Sequence, residues 1–322
     1  HTREAGSDAV QELAFTLCQG MAYAESAMER GLEIDEFAPR FSYFFGCHID
    51  LFEEVAKFRA ARRMWARIVK ERYKASNPES MRMRYHTQTL GSTLVREQPL
   101  NNITRGALQG LAAVLGGTQS LHVSGYDEAY DIPSEEAMKV SLASQLVIAH
   151  ETNVASTVDP LGGSYYVESL TDKVEEGAWE YINTIEQMGG GSMVQGMLHA
   201  IESGYIEREI AGTAFEYQRS VESLEQIVVG VNEYRDEDAR PPEVFEYDVR
   251  EEDRQLARLR DLRRSRSNAE VEEALSNLLR AAEADENVFP HVADAVKARA
   301  TGGEVMGALR DVYGEYTDPG VF

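Results

Sequence analysis

Residues 84–129, RYHTQTLGSTLVREQPLNNITRGALQGLAAVLGGTQSLHVSGYDEA, constrain the fold more than any other stretch. They read as strand, loop, helix, strand, loop. Arg84, His86 and Gln88 stand two apart, so an extended chain points them to one face, with Tyr85 and Thr87 on the other. An apolar, small-residued helix follows at 104–115, and Gly116-Gly117 ends it. The next strand, 118–123, again carries polar residues two apart: Thr118, Ser120 and His122. Neighbouring parallel strands that present polar groups to the same side are how a (β/α) barrel builds a site at the C-terminal rim of its strands.

The pattern extends upstream. Ser7 is a plausible N-cap for a helix carrying Val10, Leu13, Leu17 and Met21 at helical spacing. Residues 37–46 read as a strand. Asp50, with Glu53 three later, opens a helix to about Tyr73. A strand at 81–88 follows. After the second rim strand, Pro133 and Ser134 start a helix to about His150, with Glu135 and Glu136 favourably placed in its first turn. Strand and helix alternate with connections too long for hairpins, which predicts a parallel sheet. Counting HTREAG at residues 1–6 as the end of a strand gives about four strands, half of an eight-stranded barrel. The VDPLGGSY turn at 158–165 marks the expected boundary between this half barrel (1–165) and a mainly helical region (166–322). In that region helices are expected near 166–187, 193–203, 206–220, 250–264, 268–284, 290–299 and 303–313, with one short strand at 226–232, QIVVGVN. GGGS at 189–192 lacks the Lys and flanking strand of a phosphate loop and reads as a linker.

The words HTQTLGSTL, QPLNNITR, GGTQSLH and YDEA, in this order and spacing, resemble the large subunit of the adenosylcobalamin-dependent acyl-CoA mutases, of which methylmalonyl-CoA mutase is the best-known member. The resemblance covers essentially the whole chain. It implies the C-terminal half of a (β/α)8 barrel of the TIM type, an acyl-CoA substrate and an adenosylcobalamin cofactor. It also implies that the N-terminal half barrel is missing from this sequence, or belongs to a separate chain. On this resemblance His1 is the catalytic residue that hydrogen-bonds the substrate thioester carbonyl, which stabilises developing charge. Arg40, Ser42, Phe44, His86 and Gln88 contact substrate and coenzyme A. Glu4, Gly91, Ser120, Ser124, Glu128 and Pro133 surround the cofactor. Within that set Glu4 accepts from a corrin amide, Gly91 lets the backbone approach the corrin closely, and Glu128 holds the adenosyl ribose. Each also has a plainer reading: Glu4 as a helix-entry residue, Arg40 in a structural ion pair, His86 as a satisfied core histidine.

Departures matter as well. Relatives often carry Trp where Ser92 stands, Asn at Ser124, and Lys or Arg at Glu79, where an acid does not attract phosphate. The cobalt-coordinating Asp-x-His-x-x-Gly of the cobalamin domains is not found; His122-Val123-Ser124-Gly125 has its tail, with Ser120 where Asp should be. No metal ligand is therefore expected here, and a separate small cobalamin-binding subunit is expected to supply it. A homodimer or heterotetramer is implied by the resemblance alone.

Charge excludes other classes. With 55 acidic against 32 basic residues, net charge is −23, and nucleic-acid backbones are repelled. Only six of the basic residues are Lys. Such a surface fits a salt-loving organism, and ordinary acidic solubility accounts for it too. No apolar run reaches membrane-span length. Cys18 and Cys47 lack metal-ligand spacing and suit a reduced, cytosolic setting. The resemblance implies an isomerase that moves a carbon skeleton by radical chemistry, (R)-methylmalonyl-CoA to succinyl-CoA. A sister mutase acting on isobutyryl-, ethylmalonyl- or hydroxyisobutyryl-CoA is the close alternative. A non-catalytic subunit that only completes a barrel is the alternative of another class.

Overall fold

A computed structural model describes residues 2–236, 240–243, 245, 248 and 250–317. His1, the expected catalytic histidine, lies outside the described residues. By internal contact the chain divides into two units, 1–245 and 246–320.

The first unit is a partial (β/α) barrel. Helix α1 (Ala9–Glu29) is capped by Asp8, whose carboxylate accepts from the Gln11 N–H while Gln11 bonds back to the Asp8 N–H. Three parallel strands follow among the described residues: β1 (Tyr43–Cys47), β2 (Tyr85–Thr89) and β3 (Ser120–His122), in spatial order β1-β2-β3. Helix α3 (Leu51–Arg67) joins β1 to β2, and α4 (Asn101–Leu115) joins β2 to β3. Helix α5 (Glu135–Glu151), capped by Ser134, comes after β3. The sheet's outer face is its packing face. Phe45 and Tyr85 lie against Phe58 of α3, with Phe58 and Tyr85 stacked at 5.4 Å. Full burial of a ring like Phe58 stabilises by about 1.5–3 kcal/mol.

The strand expectation needs correction in three places. Residues 2–6 form a turn, closed by the Ala5 N–H to Thr2 O bond, rather than a strand end. Residues 37–46 are mostly not strand. Glu33 and Glu36 cap a short helix α2 (Ile34–Phe37), and Pro39 sits in the 3-10 turn Ala38–Arg40, so β1 starts only at Tyr43. Residues 226–232 make only an isolated bridge, Val229 to Glu233. There the Asn232 side chain takes up the Val228 N–H and the Gln226 carbonyl that a strand would have offered to a neighbour, and also donates to the Val221 carbonyl at the end of the preceding helix.

Helices α6 (Tyr165–Met188), α7 (Met193–Glu202) and α8 (Tyr205–Glu222) complete the first unit. Val174, Ala178 and Ile182 of α6 enter the same core as Leu13 of α1 and Trp65 of α3. Arg59 of α3 clasps Glu168 at 2.7 Å across the same seam. The contact division thus falls near residue 245, whereas the 158–165 turn lies inside the first unit. The glycines at 189–191 form the turn between α6 and α7, in keeping with a linker; there a Cβ on Gly189 would stand 2.1 Å from the Ser192 carbonyl.

The second unit holds α9 (Arg250–Ser265), α10 (Asn268–Glu283), α11 (Phe289–Lys297) and α12 (Gly302–Tyr313). Leu278, Ala295 and Val305 form its small core. Among the described residues no helix is long and apolar enough to cross a membrane.

Candidate functional site

The site begins with strand register. Phe44, His86 and Ser120 are directly paired across the sheet, and Gly46, Gln88 and His122 form the next rung. Paired residues on parallel strands point to one face, so these six share the face opposite the packed helices. On β2 the alternation is complete: Tyr85, Thr87 and Thr89 are buried, while His86 and Gln88 are half-buried. His86 Nδ1 lies 2.7 Å from Ser120 Oγ, and the Phe44 ring leans on the imidazole at 5.1 Å. Burial and the neighbouring His122 hold His86 below the ordinary histidine range.

At the amino end of the strands, a cleft of about 590 Å³ opens between α1 and β1. Arg40, Ser42 and Phe44 line it together with Thr2. The structure therefore gathers these three expected residues, although Arg40 reaches the cleft from a 3-10 turn and not from the strand. Glu79 is not a lone acid there; it pairs with Arg82 at 2.9 Å and Arg84 at 3.6 Å.

At the carboxyl end, three loops meet. Glu4 accepts from the Gly91 and Ser92 N–H groups, each at 2.9 Å. A Cβ on Gly91 would sit 2.4 Å from Glu128 Oε1 and 3.7 Å from Glu4 Oε1, so the two carboxylates flank a position with no room for a side chain. Burial raises the Glu128 carboxyl above its ordinary value; Ser124 opposes the shift and Glu4 adds to it. Ser124 is itself committed to the fold, since its N–H donates to Thr89 Oγ1 at 2.8 Å and its hydroxyl to Thr89 O at 2.9 Å. Pro133 packs on Gly125, where a Cβ would meet it at 2.9 Å.

Sequence reasoning missed what holds these loops. Asn102 is buried; its amide donates to Val95 O at 2.8 Å and to Tyr126 O at 2.9 Å, tying the loop after β2 to the loop after β3. Asp127, also buried, accepts from the Ser134 N–H at 2.8 Å. The NNITR word carried the Asn102 signal, but helix α4 was expected to start three residues later than it does.

Residues 1–315 match the methylmalonyl-CoA mutase family. The chain belongs to that family. It is 44% identical to the 2-hydroxyisobutanoyl-CoA mutase large subunit of Aquincola tertiaricarbonis, over all of this chain and 57% of that protein. It is 41% identical to the methylmalonyl-CoA mutase of Rhizobium meliloti (strain 1021), over 98% of this chain and 44% of that protein. Identity to the human mitochondrial methylmalonyl-CoA mutase is 39%, over 98% and 42%. The chain thus spans about half the length of the mutases it matches.

The corner at Gly91 fits the periphery of a corrinoid of the kind this mutase family implies. The Glu4 and Glu128 carboxylates suit amide and hydroxyl donors rather than phosphate, and Gly91 leaves room for them to close on the backbone there. Among the described residues no group of three or more His, Cys, Asp or Glu could hold a metal ion.

Proposed function

We propose that this chain forms the carboxyl-terminal part of the catalytic large subunit of an adenosylcobalamin-dependent acyl-CoA mutase. One observation carries the reading. The uncovered polar face, with Phe44, His86 and Ser120 on one rung and Gln88 and His122 on the next, runs from the Arg40–Ser42 cleft to the Glu4–Gly91–Glu128 corner. An acyl thioester lying along that face would place its phosphate-bearing end near Arg40 and its reacting carbons near the corner. His86 and Gln88 would orient the acyl group, and Glu4, Gly91 and Glu128 would seat the cofactor. Adenosylcobalamin, when bound, supplies the carbon radical by homolysis of its cobalt–carbon bond. The protein's share is to enclose, orient and exclude water.

The reading also requires partners. An amino-terminal half barrel would complete the enclosure, and a small cobalamin-binding subunit would bring the cobalt ligand, in a homodimeric or heterotetrameric assembly. The relative named as a large subunit supports this division. The substrate is (R)-methylmalonyl-CoA on the family's best-known pattern. The 44% identity to a 2-hydroxyisobutanoyl-CoA mutase favours a branched 2-hydroxyacyl thioester as the second reading. The test is reconstitution of the chain with the amino-terminal half, the small subunit and adenosylcobalamin. Both thioesters are offered, and their linear isomers, equal in mass to the substrates, are separated by liquid chromatography and identified by their fragment ions. Formation of either isomer supports the mutase and identifies its substrate. Formation of neither, with all parts folded and cofactor bound, favours a non-catalytic barrel-completing role.

A further inference from the structure

The turn at residues 2–6 carries two adjacent charged side chains that leave it in different directions. Glu4 reaches the backbone of the loop after β2, as described. Arg3 reaches the start of α3, where its Nη2 lies 3.3 Å from Glu53 Oε2 and 3.4 Å from Glu54 Oε1. Its Nη1 donates to the Ser7 carbonyl. Only 9% of the Arg3 side chain is exposed, so these bonds are made out of water.

The contacts continue inward. Glu54 is fully buried and bonds Lys57 Nζ at 2.5 Å. Lys57 also bonds Glu12 at 2.5 Å and the Gly46 carbonyl at 2.8 Å. Glu12 accepts from the Gly46 N–H at 2.7 Å. These Gly46 groups lie on the edge of β1 that faces away from β2, because the Tyr43 N–H and the Cys47 carbonyl are the ones that pair toward β2. Polar contacts therefore run without a gap from the middle of β1, through Glu12, Lys57, Glu54, Arg3 and the turn, to Glu4 and then to Gly91 and Ser92.

We propose that Arg3 is a positioning residue, which fixes the 2–6 turn so that Glu4 seats the Gly91–Ser92 backbone at the cofactor corner. Buried ion clusters contribute little net stability, since desolvation offsets attraction. Holding a loop in one place is a use that does not depend on net stability. Arginine suits the task because its fork serves Ser7 on one side and two carboxylates on the other, whereas a lysine ammonium is a single point. The catalytic consequence rests on the function proposed above; the positional claim does not.

The test is amide hydrogen exchange, read by mass spectrometry on the intact chain. In Arg3→Gln, exchange at Gly91 and Ser92 should rise on the order of tenfold, the scale of one charge-assisted hydrogen bond. The β2 amides of Tyr85–Thr89 should not change. Glu4→Gln, which weakens the same contact directly, serves as the reference. If Arg3→Gln does not fold, Arg3→Lys is read in the same way. Unchanged exchange at 91–92, or a uniform rise across the chain, would overturn the assignment. In the reconstituted enzyme, Arg3→Gln should lower kcat on the order of tenfold with the KM for acyl-CoA unchanged. Wild-type protein that shows the exchange pattern's dependence on Arg3 but no mutase activity would defeat the proposed function and leave the positioning claim standing.

Discussion

The two faces of the β1–β3 sheet share one backbone and have opposite fates. Outward, Phe45, Tyr85, Thr87 and Thr89 are buried beneath helices, and the Tyr85 hydroxyl donates to Gly116 O at 3.1 Å. Inward, Phe44 stays 42% exposed and His86 and Gln88 are only half-buried. A sheet needs one covered face to be stable. The other is free to carry groups that would be costly in a core. The buried charge of Lys57 is paired with two carboxylates, Glu12 and Glu54. Stability and, on the proposed function, ligand recognition are thus divided between alternate residues of the same strands.

The hardest blow to the covered side is Lys57→Met. It would leave Glu12 and Glu54 buried with their shared cation gone. We expect a loss of about 3–5 kcal/mol, measured by urea unfolding. Part should return as pH falls and the stranded carboxylates take up protons. A loss below about 1 kcal/mol would mean that the cluster behaves like a surface pair, and the contrast would collapse.

The open face should answer differently. His86→Ala and Gln88→Ala should shift stability by no more than about 0.5 kcal/mol. Acyl-CoA affinity in the reconstituted enzyme should fall about tenfold, the scale of one well-placed hydrogen bond, as followed by calorimetry. If either variant instead unfolds the protein and spares binding, the two faces have been assigned the wrong way round. Tyr85→Phe sharpens the same contrast from the other side. It removes the hydroxyl that bonds Arg62 at 3.0 Å and Gly116 O, and should cost about 1 kcal/mol with binding untouched.

Much of this division was legible in the sequence because strand alternation is local. The spacing of His86, Gln88, Ser120 and His122 is enough to place them on one side of a sheet. The helices after 165 were legible for the same reason, being long and strongly periodic. What stayed hidden depends on residues far apart in the chain. Glu12, Glu54 and Lys57 look like surface residues of amphipathic helices until β1 is laid beside them. Asn102 looks like loop polarity until both rim loops are in place. The strand expected at 226–232 failed because its β-branched run carried no sign that Asn232 would take the backbone partners. His48 is another such case. It directly follows β1, and burial together with the Arg3 charge pushes it down to about 4, which nothing in its neighbours' identities announces.

The smallest expected effect separates two histidines on the open face. His86 is held below its ordinary value by burial first and by His122 second. Its depression means that the folded protein prefers the neutral ring. Its contribution to stability is therefore present above the ordinary histidine pKa of about 6.5 and is lost as pH falls from there through the folded value. Because the half-buried ring still meets water, solvent screens the effect, and it should be visible in an NMR titration rather than in unfolding curves. His122→Asn removes the second cause and leaves the first. The His86 titration should then move back part of the way toward its ordinary value, with the larger share of the depression remaining. A complete return would show that the inner face is as open to water as bulk surface, with Phe44 giving the imidazole no cover. No movement at all would show that the two rungs are too far apart to feel each other's charge, and a ligand could then bridge them only by contact with both.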